Sequence, residues 1–453
     1  MTNRKSIVFV WSVWAIMTSA ALGLVVTYGP EVPFNDEFDS TVPHFTGEWK
    51  LNSRTIFRHN VNHCIAVPRL ILVGLGHATD YDIRSGMYFN VLALSALSVL
   101  LIMTAKYVRG RVCWTDSIFP ALFLNWGHYK TLLWSIQMTV GIIPVFSCIV
   151  LAMIVKRRMR PTYTEILVAG LCLLALPISQ AAGVVTAPPL ALWLFATGVC
   201  YWKSGAATQR PIAATVFALS AAVVVVAFLA YQPPLDYLPP APWSRYVVWN
   251  SIQLLSMSFG KVGAYPDMRV TIATAGLLVM SVTLLLQVWR RQPEERLRAW
   301  GLLLFLGASA ALALGIAWAR PREVMSDRYP ILVAPIVCGV YFTWLLYGKL
   351  ISRTSVCAIV CVAVFWFVPA RTVRGFHWAR DRAAKAAAFE RDVLAGVPIK
   401  EIVSQHRYIY PQAERMEYML RTMHDSKLGI FRYLNTKDSE SPANDAPLET
   451  PGD

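Results

Sequence analysis

The chain is a succession of apolar runs of about 20 residues, separated by short charged or proline-rich stretches. A run of that length matches the hydrocarbon thickness of a bilayer. Inside lipid, an isolated segment satisfies its backbone groups only as a helix. Hydrophobic residues make up 56% of the chain and charged residues 15%, so the class is a multi-pass membrane protein rather than a soluble globule. The runs predict about eleven spans, at roughly 6–28, 86–105, 113–126, 131–155, 163–178, 183–202, 212–231, 269–289, 299–318, 330–348 and 354–370. The third is short and polar at its end, which suits a half-span or a tilted one, and the fifth is short too. The fold class expected is therefore all-α and polytopic. The first run is too long for an ordinary signal peptide and lacks a convincing cleavage site, so it reads as a retained span.

Charge orients these spans. Alternating them from a cytoplasmic N-terminus places Arg4 and Lys5, then Lys106, Arg109 and Arg111, then Lys156, Arg157, Arg158 and Arg160 on the inner side. Lys203 and Arg210, Arg290, Arg291, Arg296 and Arg298, and Lys349 and Arg353 follow on the same side. Each of these loops is short and basic, while the outer segments are longer and much less densely basic, which is the positive-inside pattern. The odd count puts the C-terminus outside. The expected location is a bacterial cytoplasmic (inner) membrane. A net charge of +15 is of the kind that nucleic-acid binders carry. Much of it sits in these orientation clusters and no basic stripe interleaved with aromatics exists, so no nucleic acid is expected. Eight scattered cysteines, nearly all in apolar runs and without a CxxC, offer neither a disulfide framework nor a metal site.

Domain boundaries follow from composition. Residues 1–370 form the transmembrane domain. Its first outer loop, 29–85, is far longer than a connector. Residues 371–436 form an outer-face helical tail, with ARDRAAKAAAFERDVLAG a helix stopped by Gly396 and Pro398, and PQAERMEYMLRTMHD a second. Residues 437–453 have the composition of a disordered end.

Candidate chemistry gathers on the outer side. GPEVPFNDEFDS follows the first span directly and carries Asp36, Glu37 and Asp39, carboxylates that are costly near lipid unless solvated, paired or functional. They suit a general base; the plainer reading is a solvated loop or a helix N-cap by Asn35 or Asp36. If the segment is helical, Asp36 and Asp39 share a face and Glu37 points elsewhere. In RHNVNH, His59 and His63 would share a helix face, and could bind a divalent metal with a carboxylate, donate to phosphate, or line a polar loop. No HExxH glutamate accompanies them. Arg69 lies inside the 13-residue apolar stretch CIAVPRLILVGLG, too short to span and suited to an interfacial or re-entrant helix. It either snorkels or binds an anion. His128 and Lys130 of NWGHYK, and Arg328 of SDRYP, suit phosphate, with an interfacial cap and an Asp327–Arg328 surface pair as the plainer readings. Asp116 and Glu165, near the cytoplasmic side, read as helix caps. No mid-span carboxylate suggests an ion relay.

These features resemble the GT-C class of membrane glycosyltransferases, which use lipid-phosphate-linked sugars. The match is an arrangement: a first span, a long outer loop opening on acidic residues (here Asp36, Glu37 and Asp39), many further spans and an outer C-terminal domain. HNVNHCIAVPRL is also similar to a His/Asn-rich motif near PRL in bacterial multi-pass proteins whose first outer loop opens on a DEWD-like start. The resemblance implies inverting transfer of a sugar from a polyprenyl-phosphate donor to an acceptor hydroxyl, with a carboxylate as base and basic residues holding the leaving phosphate. It names membrane lipid and that donor as partners and requires no certain cofactor. It implies that the acidic cluster, HNVNH and SDRYP converge on one outer cavity. Two other classes stand beside it. A carrier or flippase of lipid-linked saccharides would want an internal repeat or a polar path through the spans. A ligase or polymerase would place its main loop late in the chain.

Overall fold

A computed structural model describes residues 3–60, 63–156, 161–204, 207–231, 240, 242–259 and 267–436. Val61 and Asn62 of the HNVNH motif, Arg157, Arg158 and Arg160, the prolines 233, 234 and 239, and the tail 437–453 lie outside the described residues. Among the described residues the chain is almost wholly helical. The strands, His59–Asn60 and His63–Cys64, are two residues each and pair antiparallel. Nine helices there are long and apolar enough to cross a membrane: Arg4–Tyr28, Arg84–Arg109, Ser135–Lys156, Ala181–Lys203, Arg210–Ala230, Met268–Arg291, Pro293–Ala319, Pro330–Tyr347 and Leu350–Leu394.

Two of the expected spans take other forms. Residues 113–126 are not one helix but a 3₁₀ turn Trp114–Ser117, a helix Ile118–Phe123 and a second 3₁₀ turn Trp126–His128. Asn125 ends the helix: its Nδ2 donates to the carbonyls of Ala121 (2.9 Å) and Leu122 (3.0 Å), and its Oδ1 accepts from Gly127 N (3.0 Å). His128 Nε2 bonds the Leu122 carbonyl at 2.9 Å. These side chains take the carbonyls that a continuing helix would have used. The fifth segment is the helix Tyr163–Ala175, opened by a Thr162/Glu165 capping box, and has 13 residues. Asp116 does more than cap. It is fully buried, accepts from Cys113 N (2.7 Å) and Tyr341 OH (2.7 Å), and pairs with Arg109 at 2.9 Å.

The chain divides into two compact units, one of Met1–Glu31 with Leu51–Ala383, the other of Val32–Lys50 with Ala384–Asp453. The helix Leu350–Leu394 runs unbroken through residue 370, with Pro369 inside it, and stops before Gly396, whose φ of +70° leaves the helical region. The second unit joins part of the first outer loop to the tail. Asn35 N donates to Ile409 O (2.9 Å), Tyr418 OH to Glu48 (2.5 Å) and Ser426 Oγ to Thr46 O (3.4 Å). Its apolar residues include Phe38, Val42, Phe389, Ile399, Met416, Met419 and Phe431, all buried, with Phe38 edge-on to Tyr410 at 5.5 Å. In the first unit the spans enclose a large apolar core, drawn from Val10 to Ala379.

Candidate functional site

Asp36 to Ser40 form one short helix in the second unit. Its N-cap residue, Asn35, has φ +49° and makes no side-chain cap. Instead the Glu37 carboxylate turns back to accept from Phe34 N at 2.8 Å and is buried. Asp39 is half-buried; it accepts from Tyr410 OH (2.7 Å) and pairs with Arg415 (3.2 Å). Asp36 is half-buried and close enough to Tyr410 to act on it electrostatically. Burial and the hydrogen bond to Asp39 hold the Tyr410 phenol above its usual range, so it stays protonated and donating. One helical face thus carries Asp36 and Asp39, and Glu37 turns inward. Tyr410 and Arg415, far along the chain, went unmarked in the sequence because nothing local points to them.

In the first unit, HNVNH corrects an expectation. His59 pairs with Cys64 and Asn60 with His63 across the two strands. His59 and His63 therefore face opposite ways, whereas a helix would have put them on one face. Burial and the neighbouring Arg69 lower the pKa of His59. Arg69 sits on the helix Ala66–Ala78 and is fully buried. Its Nη1 donates to the carbonyls of Thr55 (3.0 Å), Ile56 (2.7 Å) and Arg58 (2.6 Å). That is a clamp on the preceding loop, neither a snorkelling side chain nor an exposed anion contact. Burial lowers its pKa to about 10, so it remains charged.

NWGHYK and SDRYP do meet, around Asp327. Tyr129 OH donates to Asp327 Oδ2 at 2.6 Å, and Arg374 Nη2 donates to the same oxygen at 2.8 Å. Arg328 donates to Glu323 (2.5 Å) and to Tyr329 OH (3.2 Å). Lys130 is half-buried within electrostatic reach of Asp327, Arg328, Arg374 and Glu323, and burial lowers its pKa. Among the described residues its ammonium makes no hydrogen bond or ion pair. The cluster therefore holds three cations, Lys130, Arg328 and Arg374, against two carboxylates, and one cation lacks a partner. Such a site can take one further negative group. Arg374 was missed because it lies beyond the last apolar run, in the stretch read as tail. His128, next to Lys130, turns away from this cluster into the interior and is 2% exposed.

Among the described residues no three His, Cys, Asp or Glu side chains group to hold a metal ion. A groove of about 610 Å³ is lined by Phe9, Trp114, Cys361, Phe365 and Trp366 among others; it carries no charged side chain and suits hydrocarbon. The acidic helix belongs to the second unit, and HNVNH, NWGHYK and SDRYP to the first. No protein-family model matches the chain, and neither a curated protein nor a solved structure matches it.

Proposed function

We propose that the chain is a GT-C-like membrane glycosyltransferase that moves a sugar from a polyprenyl-phosphate donor to an acceptor hydroxyl on the outer face of a bacterial inner membrane. The observation that carries this reading is the cluster at Asp327, where among the described residues cations outnumber carboxylates and the Lys130 ammonium has no hydrogen-bond or ion-pair partner. A lipid-linked phosphate supplies the missing negative charge. In the step proposed, a carboxylate takes the proton of the acceptor hydroxyl, and that oxygen bonds to the anomeric carbon. The bond from that carbon to the phosphate oxygen breaks on the opposite face. The lipid phosphate leaves as an anion held by Lys130 and Arg328.

The sidedness this requires has support in five contacts. The segment after the first span and the tail after the last one build a single unit, which asks for an odd number of crossings. Arg84, opening the second long helix, pairs with Glu31, just past the first (2.8 Å). At the far end of that helix Arg109 binds Asp116, whereas Tyr129 binds Asp327, beside the start of Pro330–Tyr347. Residues 116–129 thus read as a crossing made of short pieces. Likewise Tyr201, near the end of Ala181–Lys203, donates to Pro161 O, while Ile178 O, near its start, accepts from Val67 N (3.3 Å). Residues 161–178 then read as a crossing too. With the nine long helices that makes eleven.

Purified protein in liposomes, given a polyprenyl-phosphate sugar labelled in the sugar, tests the reading. Transfer to an acceptor is expected. Lys130→Ala should weaken donor binding by about 1.5–3 kcal/mol, the worth of a charged hydrogen bond. Movement of the intact donor across the bilayer without release of lipid phosphate would instead identify a carrier.

A further inference from the structure

A second cation in the first unit lacks a counter-charge, and it is far more deeply buried. Arg371 lies on the helix Leu350–Leu394 and is 5% exposed. Its hydrogen bonds run only to the carbonyls of Met257 (2.6 Å) and Ser258 (3.5 Å), and no carboxylate among the described residues pairs with it. A guanidinium has five N–H donors and keeps its charge, and a buried charge without a counter-ion is strongly disfavoured. The groups packed around it are also short of partners. His128 and Ser258 are 2% and 1% exposed, and among the described residues His128 Nδ1, Ser258 Oγ and Trp126 Nε1 have no hydrogen bond.

The backbone is shaped to bring these groups together. Trp126 and His128 flank Gly127, where a Cβ would lie 2.8 Å from both Cβ and Cδ of Arg371. One turn further along the same helix, a Cβ on Gly375 would lie 2.2 Å from Trp126 O. Two glycines thus seat the Trp126–His128 turn directly on the Arg371 side of the helix. The chemistry of the set is specific. Arg371, Trp126 Nε1 and the Ser258 hydroxyl are donors. His128 Nε2 faces the Leu122 carbonyl at 2.9 Å and so carries the hydrogen, which leaves Nδ1 as an acceptor. The charged Arg371 fork with two neutral donors and one acceptor matches an oxyanion that also bears one hydroxyl.

We propose that Arg371, Ser258, Trp126 and His128 form a buried binding site for a phosphate group. The site deepens the glycosyltransferase reading, for which it is the pocket of the lipid phosphate after transfer, with Lys130 and Arg328 on the approach. A phosphomonoester carries oxyanions for Arg371 and a P–OH for His128 Nδ1. The guanidinium fork takes two phosphate oxygens at once.

Binding measured in detergent micelles with decaprenyl phosphate, decaprenol and inorganic phosphate tests this. The wild-type protein should prefer decaprenyl phosphate to decaprenol, and Arg371→Gln should lose that preference by about tenfold or more. Ser258→Ala should lose part of it, and Arg371→Lys should be intermediate. Should Arg371→Gln fail to fold, the other two variants decide: full phosphate preference in both overturns the proposal. Equal binding of decaprenyl phosphate and decaprenol by the wild type overturns it as well, unless inorganic phosphate binds in an Arg371-dependent way, which identifies a free-phosphate site. Arg371-dependent phosphate binding without any sugar transfer keeps the site and defeats the glycosyltransferase reading. Sugar transfer with phosphate binding indifferent to Arg371 does the reverse.

Discussion

Three carboxylates within four residues look equivalent in the sequence, and their surroundings separate them. Glu37 is buried with its oxygen on the Phe34 amide, so its role is to hold the turn. Asp39 is engaged by Tyr410 and Arg415. Asp36 is half-buried at the start of the same helix, beside a residue at φ +49°. Backbone strain of that kind is kept where surrounding structure enforces it. Asp36→Asn is therefore expected to insert and fold normally and to lose transfer by about 10²–10⁴-fold, the usual loss for a general base. Glu37→Gln keeps an oxygen acceptor and should stay active, while Glu37→Ala strands the Phe34 N–H and should cost about 1–3 kcal/mol in a detergent melt. Full transfer by both Asp36→Asn and Asp39→Asn would reduce the loop to a connector. The i, i+3 face shared by Asp36 and Asp39 was legible in the sequence because helical geometry alone sets it. The fates of the three were not, because Tyr410 and Arg415 come from about 370 residues away, a separation that no local pattern encodes.

At the scale of elements, the helices of 13 residues and more were legible and the turns and short strands between them were not. Runs such as 6–28 and 269–289 are long, apolar and free of proline, and the structure has helices there. NWGHYK was read as the end of a span, whereas Asn125 and His128 actively terminate the helix by taking its carbonyls. HNVNH was read as a helix by spacing, and His59 and His63 instead lie on paired strands. The clamp from Arg69 to the carbonyls of Thr55, Ile56 and Arg58 explains how that loop is held without longer elements. Arg69→Ala should therefore destabilise the first unit by more than about 2 kcal/mol, since three carbonyls lose a charged donor at once. Limited proteolysis should then cut within 52–60 faster than in the wild type. A variant that melts and digests like the wild type yet binds donor poorly would return Arg69 to the role of anion contact.

At the scale of the whole molecule, the charges of the loops predict a topology. Loops at Lys106–Arg111, Lys203–Arg210, Arg290–Arg298 and Lys349–Arg353 all alternate with less basic segments. Dropping both short segments, 113–126 and 163–178, would leave those four loops in place. It would move Lys156–Arg160 to the outer side and Lys130 to the inner side. The bond from Tyr129 to Asp327 speaks against that, because Asp327 stands at the start of Pro330–Tyr347 and Asp116 binds Tyr341 further along it. The short segments have a physical cost. Thirteen helical residues rise about 20 Å, well under the roughly 30 Å hydrocarbon core, so the bilayer must thin or the flanking polar residues must reach. Reporter fusions decide the matter. With eleven crossings, a reporter at Lys156 and one within 206–209 should both read cytoplasmic, and one after Leu132 and one at residue 453 should both read outside. With nine, the Lys156 and Leu132 fusions exchange sides while the other two stay. That second pattern would put Lys130 across the membrane from Arg328 and remove the phosphate cluster on which the proposed chemistry depends.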